Sequence, residues 1–539
     1  MSLEKENPMS EKKAQNFLQG TALLAMANAI VKVIGAVYKI PLNAIIGEQG
    51  FGYFNTAYEI YSVLLMVSTA GLPVAMSRMI SEASARGHYG QVRRIYNTAR
   101  TIFLGLGIAG SLLMTVFCRQ LAAFQNQPDA WAAIGCLGPS MLLICVMSSF
   151  RGFFQGQSNM LPTSISQVLE ASVKLVVGMV AAIALLKFTS SIPLAAGGAI
   201  LGVTVSCLVS VLYLHNCFRK AYKILPVTDE ETTTFGATAR MLLAIAVPIT
   251  IGSAGLQLLT MLETKVYMGQ LLGLGYSQSE ADGMRGIYAM TMTIFNMPCS
   301  FIYPITIPII PAITAQLTRG EHKAAQATGE SASRVTGLIC MPCAIGLAVL
   351  AEPITALLGG YEGEKLVLAT QLMAILGICI IPNAVVLLTN AMMQAHGHPT
   401  IPVINMFVGG FAKLAIVFLL TGNPAINILG TPIGSVACYL IITILNLITM
   451  ARVVPHPPAV IRNLIRPFLA AAAMGACAWG VWWTLKTVAQ ISSNLILCAL
   501  PVMVGVVVYV VAAVVLKAIT KEDCLLLPKG EKIAKILHL

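Results

Sequence analysis

Long apolar runs separated by short polar punctuation recur from one end of this chain to the other. They occupy residues 17–46, 53–80, 95–118, 130–151, 161–186, 192–217, 240–265, 285–315, 333–358, 366–392, 400–421, 428–452, 465–484 and 492–516. Gly, Pro, Asn and small charge clusters form the interruptions. A helix needs about 20 mainly apolar residues to cross a bilayer, because every backbone N–H and C=O must be satisfied inside hydrocarbon. The pattern therefore predicts an all-α integral membrane protein with fourteen transmembrane helices and no large aqueous domain. The first sixteen residues are polar, and the run that follows is too long for a cleavable signal, so it is expected to stay as the first span.

Composition agrees with this reading. Hydrophobic residues make up 57% of the chain and charged residues 10%, against roughly 25% charged in soluble domains, and the mean hydropathy is +0.80. The net charge of +12 does not point to nucleic acid, because its lysines and arginines alternate between loops. One set of loops carries Arg78, Arg86, Arg93, Arg94 and Arg100, then Arg151, then Arg219, Lys220, Lys223 and Arg240. That set continues with Arg319, Lys323 and Arg334, then Arg452, Arg462 and Arg466. The opposite loops hold only Arg119, Lys187, Lys365 and Lys486, with Lys265 and Arg285 at their edges. Such asymmetry predicts that both termini are cytoplasmic and that the span count is even.

A repeat is visible beneath the hydropathy. Ile80 to His88, ending Arg86-Gly87-His88, matches Ile313 to Glu321, ending Arg319-Gly320-Glu321. Gln155 to Lys174 likewise matches Gln394 to Lys413. The offsets, 233 and 239 residues, are nearly equal, as expected if spans one to six and seven to twelve are parallel copies. The expected organisation is a cytoplasmic tail at 1–16, an N-lobe at 17–225, a C-lobe at 226–455, an appended helix pair at 456–520 and a cytoplasmic tail at 521–539.

Ionisable groups inside spans are costly and mark cavities or functional sites. Asn28, Lys32, Gly35 and Lys39 share one face of the first span, and Asn55, Glu59 and Ser62 share one face of the second. Glu59 is the expected counter-charge of Lys39, as a gate or as a staple between helices. Glu170 and Lys174 lie four residues apart and are expected to neutralise each other on one helix. Lys413 is the repeat mate of Lys174 with Gly409 in place of the acid. Glu263 and Lys265 close the seventh span and Arg285 opens the eighth. Expected cavity residues are therefore Asn28, Lys32, Lys39, Asn55, Glu59, Lys174, Arg285 and Lys413. Lys39, Glu59, Glu170 and Glu263 are candidates for a gate or ion pair. Pro41, Pro248, Pro298, Pro304, Pro308 and Pro311 interrupt the first, seventh and eighth spans and are expected to kink them.

Nothing suggests a cofactor, a metal or an enzyme. Cys340 and Cys343 form a lone CxxC in an apolar run, and His396 and His398 lack further ligands. No Walker A, glycine-rich phosphate loop, G-x-S-x-G or HExxH occurs.

The first hairpin, Lys32-Val-Ile-Gly35 through Ile46-Gly47-Glu-Gln-Gly50-Phe-Gly52-Tyr53, resembles the MOP (multidrug/oligosaccharidyl-lipid/polysaccharide) exporter superfamily. The stretch from Gly71-Leu-Pro73 to Arg86-Gly87 and the turn Arg151-Gly152-Phe-Phe-Gln155-Gly156 carry the same resemblance. Within it the chain is most similar to the MurJ-like lipid II flippases and the polysaccharide biosynthesis and stage V sporulation B proteins. The resemblance implies a MATE/MOP-type pair of six-helix lobes around a cavity for the headgroup of a polyprenyl-diphosphate-linked saccharide. The last two helices would border a groove for its lipid tail. Lys32 stands where those flippases place a first-helix arginine, and Arg285 lies near the eighth-helix one. Leu64-Leu65-Met66-Val67 occupies the place of a second-helix arginine. The implied activity is flipping across the bacterial cytoplasmic membrane by alternating access, driven by Na+ or H+ or by the membrane potential. The alternative within the superfamily is a MATE-type multidrug or cation antiporter, which calls for an acid-rich cavity where this first span is cationic.

Overall fold

The computed structural model describes residues 8–157, 159–226, 232–306 and 309–518. Its helices are α1 (Pro8–Thr69), α2 (Leu72–Ala85), α3 (Tyr89–Val116), α4 (Cys118–Phe124), α5 (Trp131–Gly156) and α6 (Leu161–Thr189). There follow α7 (Ile192–Ile224), α8 (Phe235–Gly273), α9 (Gln278–Thr306), α10 (Ile309–Thr318), α11 (His322–Val349) and α12 (Ala351–Gly359). The last five are α13 (Gly363–Ala395), α14 (Thr400–Thr421), α15 (Gly430–Val453), α16 (Val460–Thr487) and α17 (Asn494–Val515). No strand occurs among the described residues, so the all-α membrane architecture holds. Twelve described segments are long and apolar enough to cross a membrane. The two expected spans outside that set are 17–46 and 285–315. The latter corresponds to α9 and α10, and α9 opens on Glu280, Asp282 and Arg285.

Turn chemistry decides where the long runs break. The interruption of α1 falls at Gly47, with φ 69° and ψ 176°, six residues beyond Pro41. Proline keeps a helical φ, whereas only glycine enters the left-handed region at little cost. The chain folds back there, so that the rings of Tyr38 and Phe54 come within 6.0 Å of each other. The expected span 53–80 is also divided, by Gly71 and the Leu72-Pro73 start of α2.

By compactness the chain forms two units, residues 1–268 with 278–286 and residues 269–277 with 287–539. Each contains the same local backbone pattern. Gly87 and Gly320 have φ of 77° and 75°. Around the first, Arg86 donates to Glu82 O, Gly87 to Ser84 O, His88 to Ala83 O and Tyr89 to Gly87 O. Offset by 233 residues, Arg319 donates to Ala315 O, Gly320 to Leu317 O, Glu321 to Gln316 O and His322 to Gly320 O. The turn before α6, where Asn159 donates to Phe154 O, recurs before α14, where His398 donates to Met393 O. The division by sequence repeat and the division by compactness are different partitions, since residues 226–268 and 278–286 pack in the first unit.

Within the first unit, α6 and α7 meet through glycines. A Cβ on Gly202 would strike the backbone of Gly178, and one on Gly178 would stand 2.8 Å from the Ala199 carbonyl oxygen. In lipid there is no hydrophobic drive between helices, so close backbone approach through small residues supplies the attraction. Gly202→Val is therefore expected to lower the stability of the detergent-purified protein by about 1–3 kcal/mol, the usual cost of overpacking. Gly105→Ala on α3, where nothing lies within 4 Å of the added carbon, should leave the melting temperature unchanged or slightly raised. Equal melting of the two variants would refute this packing.

Candidate functional site

The first three turns of α9 lie against the return limb of α1 at backbone distance. A Cβ on Gly286 would overlap the Glu48 backbone, and one on Gly52 would stand 3.1 Å from the Asp282 carbonyl oxygen. That approach seats two polar groups. Arg285, 2% exposed, makes an ion pair with Glu59 of α1, and its guanidinium lies 5.7 Å from the centre of the Tyr267 ring. One turn earlier, Asp282 is fully buried. Its Oδ2 accepts from the Tyr53 hydroxyl at 3.0 Å, and its Oδ1 accepts from Gln127 Nε2 and Gln278 Nε2, each at 2.9 Å. Gln127 in turn accepts a hydrogen bond from Thr56, and Gln278 also donates to the Asn126 carbonyl at 2.7 Å. Residues 126–127, the turn of α1 and the start of α9 thus close one end of the unit.

A second polar group lies between α5 and α6. Arg151 donates from Nε to Ser166 Oγ and from Nη2 to Glu170 Oε2, both at 3.0 Å. Lys174, one turn beyond Glu170, stands 5.8 Å from the centre of the Tyr38 ring, while the Tyr38 hydroxyl donates to Ala199 O at 2.9 Å. Lys39 follows Tyr38 directly, half-buried, near enough to Lys174 for their like charges to interact. Neither lysine makes an ion pair with a described carboxylate.

This geometry corrects one expected pairing and divides another. Glu59 pairs with Arg285, not Lys39. The turn at Gly47 sets position 38 opposite 54 and so Lys39 opposite 53, which leaves Glu59 about six residues, roughly 9 Å, further along the helix. Glu170 makes its ion pair with Arg151 while still acting on Lys174 as a nearby opposite charge. Ser166 and Glu170 are one turn apart on α6, and a guanidinium satisfies both at once with a fixed fork that an ammonium lacks. Of the other expected residues, Asn55 donates back to the Phe51 carbonyl of its own helix at 2.7 Å. Glu263 is buried. Lys265 lies 3.6 Å from the centre of the Phe124 ring. Lys413, half-buried on α14, belongs to the second unit. The side chains of Asn28 and Lys32 lie outside the described residues, as do those of Pro304, Pro308 and Pro311.

Sequence reasoning missed Asp282 and Gln127, and read Tyr53 and Arg151 as parts of motifs and a loop charge, not as site residues. A signal existed for Asp282, which stands three residues before Arg285 on the same helix face. In the second unit the positions of Arg151 and Ser166, shifted by 239 residues, hold Asn390 and Asn405. There Asn446 donates to Asn390 Oδ1 at 2.8 Å and to Thr389 Oγ1 at 2.9 Å, and accepts from Asn405 at 2.8 Å. The equivalent place is thus charged in the first unit and a neutral amide cluster in the second.

The family model for polysaccharide biosynthesis proteins matches residues 17–317, which is more than half the chain and includes every residue of the two charged groups. The chain belongs to the polysaccharide biosynthesis protein family. Among family relatives, stage V sporulation protein B of Bacillus subtilis is 26% identical over 82% of this chain and 85% of its own length. The lipid II flippase MurJ of Bacillus subtilis is 23% identical over 79% of this chain and 82% of its own. In three dimensions the structure of lipid II flippase MurJ in an inward closed conformation is similar, with a TM-score of 0.67. It is 12% identical and covers 92% of this chain and 98% of its own. An inward-facing multidrug resistance MATE family transporter of the MOP superfamily has a TM-score of 0.63 at 13% identity, covering 80% and 98%. The family member described here is therefore a multi-pass membrane protein with the fold of the MOP-superfamily transporters.

Proposed function

We propose that this protein is a flippase that carries a polyprenyl-diphosphate-linked saccharide, lipid II or a related cell-wall precursor, across the bacterial cytoplasmic membrane by alternating access. The observation that carries the reading is the pair Lys39 and Lys174. Among the described residues Arg285 and Arg151 are matched by Glu59 and Glu170, so three cations, Arg151, Lys174 and Lys39, share the one acid Glu170 around Tyr38. A cation there is expensive unless an anion or water meets it. A diphosphate offers charged acceptors to ammonium groups, and such hydrogen bonds are about twice as strong as neutral ones. Kinship with a lipid II flippase and a sporulation protein supports the same substrate class, and an organic-cation antiporter would reverse the required sign. Alternating access would be driven by Na+ or H+ exchange or by the membrane potential, worth about 2.3 kcal/mol per charge per 100 mV. Both termini are placed in the cytoplasm by the basic loops.

The test is reconstitution of the purified protein into vesicles carrying a fluorescent polyprenyl-diphosphate saccharide. Accelerated loss of that label to an impermeant quencher or enzyme is expected, with no acceleration for a neutral lipid of the same tail. Uptake of organic cations with no movement of the diphosphate lipid would replace this reading by the antiporter one.

A further inference from the structure

We propose that Asp282 is a proton-binding site, and that its charge state decides whether the first three turns of α9 stay fastened to α1. The proposal deepens the transport reading and rests on it for its role in the cycle. The carboxylate is fully buried and is held by three donors, all neutral: the Tyr53 hydroxyl and the amides of Gln127 and Gln278. Among the described residues no cation makes an ion pair with it. Arg285, one turn on, is committed to Glu59, and Lys265 lies on the Phe124 ring. A buried charge compensated only by neutral hydrogen bonds is the arrangement in which gaining a proton costs least relative to a salt-bridged one.

Protonation would weaken the network, because hydrogen bonds to an ionised carboxylate are about twice as strong as those to a neutral acid. A proton on Oδ2 reverses the bond with the Tyr53 hydroxyl, which would then accept and turn its own proton toward Asp129. A proton on Oδ1 sets an O–H against two amide N–H groups, which have no lone pair to offer. Gln127 cannot compensate by flipping its amide, because its oxygen already accepts from Thr56. The groups that face this place from each packed element are Glu48, Tyr53 and Glu59 of α1, Asp129 ahead of α5, Glu263, Lys265 and Tyr267 of α8, and Glu280 and Arg285 of α9 itself. Most are acidic, and the two cations among them are engaged elsewhere, Arg285 with Glu59 and Lys265 on the Phe124 ring.

Position gives the switch its consequence. It lies at the end of the unit opposite the basic loops, the end that the charge count assigns to the cell exterior. The network sits on residues 278–286 of α9, which belong to the first unit. A proton arriving from outside would therefore loosen a segment of nine residues.

Hydrogen exchange of the full-length protein in detergent, followed by mass spectrometry, tests this directly. At about pH 7.5 the segment 278–286 should exchange about tenfold faster in Asp282→Asn than in the wild type, since the amide mimics the protonated acid. Comparing both proteins at each pH cancels the intrinsic rate, and the wild type should approach the variant by about pH 5. Equal protection of the two proteins at both pH values overturns the proposal. If Asp282→Asn does not fold, Tyr53→Phe removes one donor from the carboxylate, and the pH at which the wild-type pattern of protection is lost should then rise. An unmoved midpoint also overturns it. The measurement needs no substrate. Proton-dependent exchange with no movement of any diphosphate lipid would leave the proton site standing and sink the substrate assignment.

Discussion

Arg285→Ala is expected to destabilise the purified protein by about 3–5 kcal/mol, seen as a marked fall in melting temperature and a broadened size-exclusion peak. Arg285 is 2% exposed and its partner Glu59 is 17% exposed, so truncating one leaves the other as an uncompensated charge away from water. The cost is that of the abandoned carboxylate more than of the lost contact. A paired replacement separates the two. Glu59→Leu with Arg285→Met removes both charges and should recover most of the stability, as apolar substitutes for buried ion pairs often do. A melting temperature for Arg285→Ala within a degree of wild type would show that the two groups are solvated and not buried together.

Removing the two lysines should do the reverse, sparing the fold while abolishing transport. Lys39 and Lys174 interact as like charges, and Glu170, which acts on Lys174, is itself ion-paired with Arg151, so Lys39→Ala and Lys174→Ala relieve a repulsion and break no ion pair. Each charge-assisted hydrogen bond to a diphosphate is worth about 1.5–3 kcal/mol, roughly 10- to 150-fold in affinity. The double variant is expected to melt at or above the wild-type temperature and to lose vesicle flipping to background. Arginine at either position should retain activity, because it keeps the charge and the donors. Flipping within twofold of wild type by the double alanine variant would move the headgroup site elsewhere.

Helices were legible from the sequence because lipid makes backbone satisfaction compulsory, and the start of α14 at Thr400 falls where the apolar run begins. The repeat was legible too, down to the left-handed glycines at 87 and 320, since a turn that only glycine adopts constrains composition locally. Partner choice among intramembrane charges was not. The expected partner of Glu59 was on its own hairpin, whereas the actual one lies 226 residues away, and no periodicity within a helix encodes which distant helix will face it. Asp282 escaped notice for a related reason. Its donors are a tyrosine and two amides from three separate segments, residue types that attract no attention until folding brings them around one carboxylate.

The distance along the chain between Glu59 and Arg285 also orders assembly. At 5–20 residues per second, synthesis places roughly 10–45 s between the two. Tyr53, Gln127 and Glu59 all emerge well before the nine residues that satisfy them. During that interval the newly made first hairpin carries an unneutralised acid, which must stay near the membrane surface or be shielded by insertion machinery. The first unit therefore closes only after the segment ending at Gly286 has been delivered, so a ribosome that stalls between the two leaves a half-protein with an exposed liability and not a finished domain.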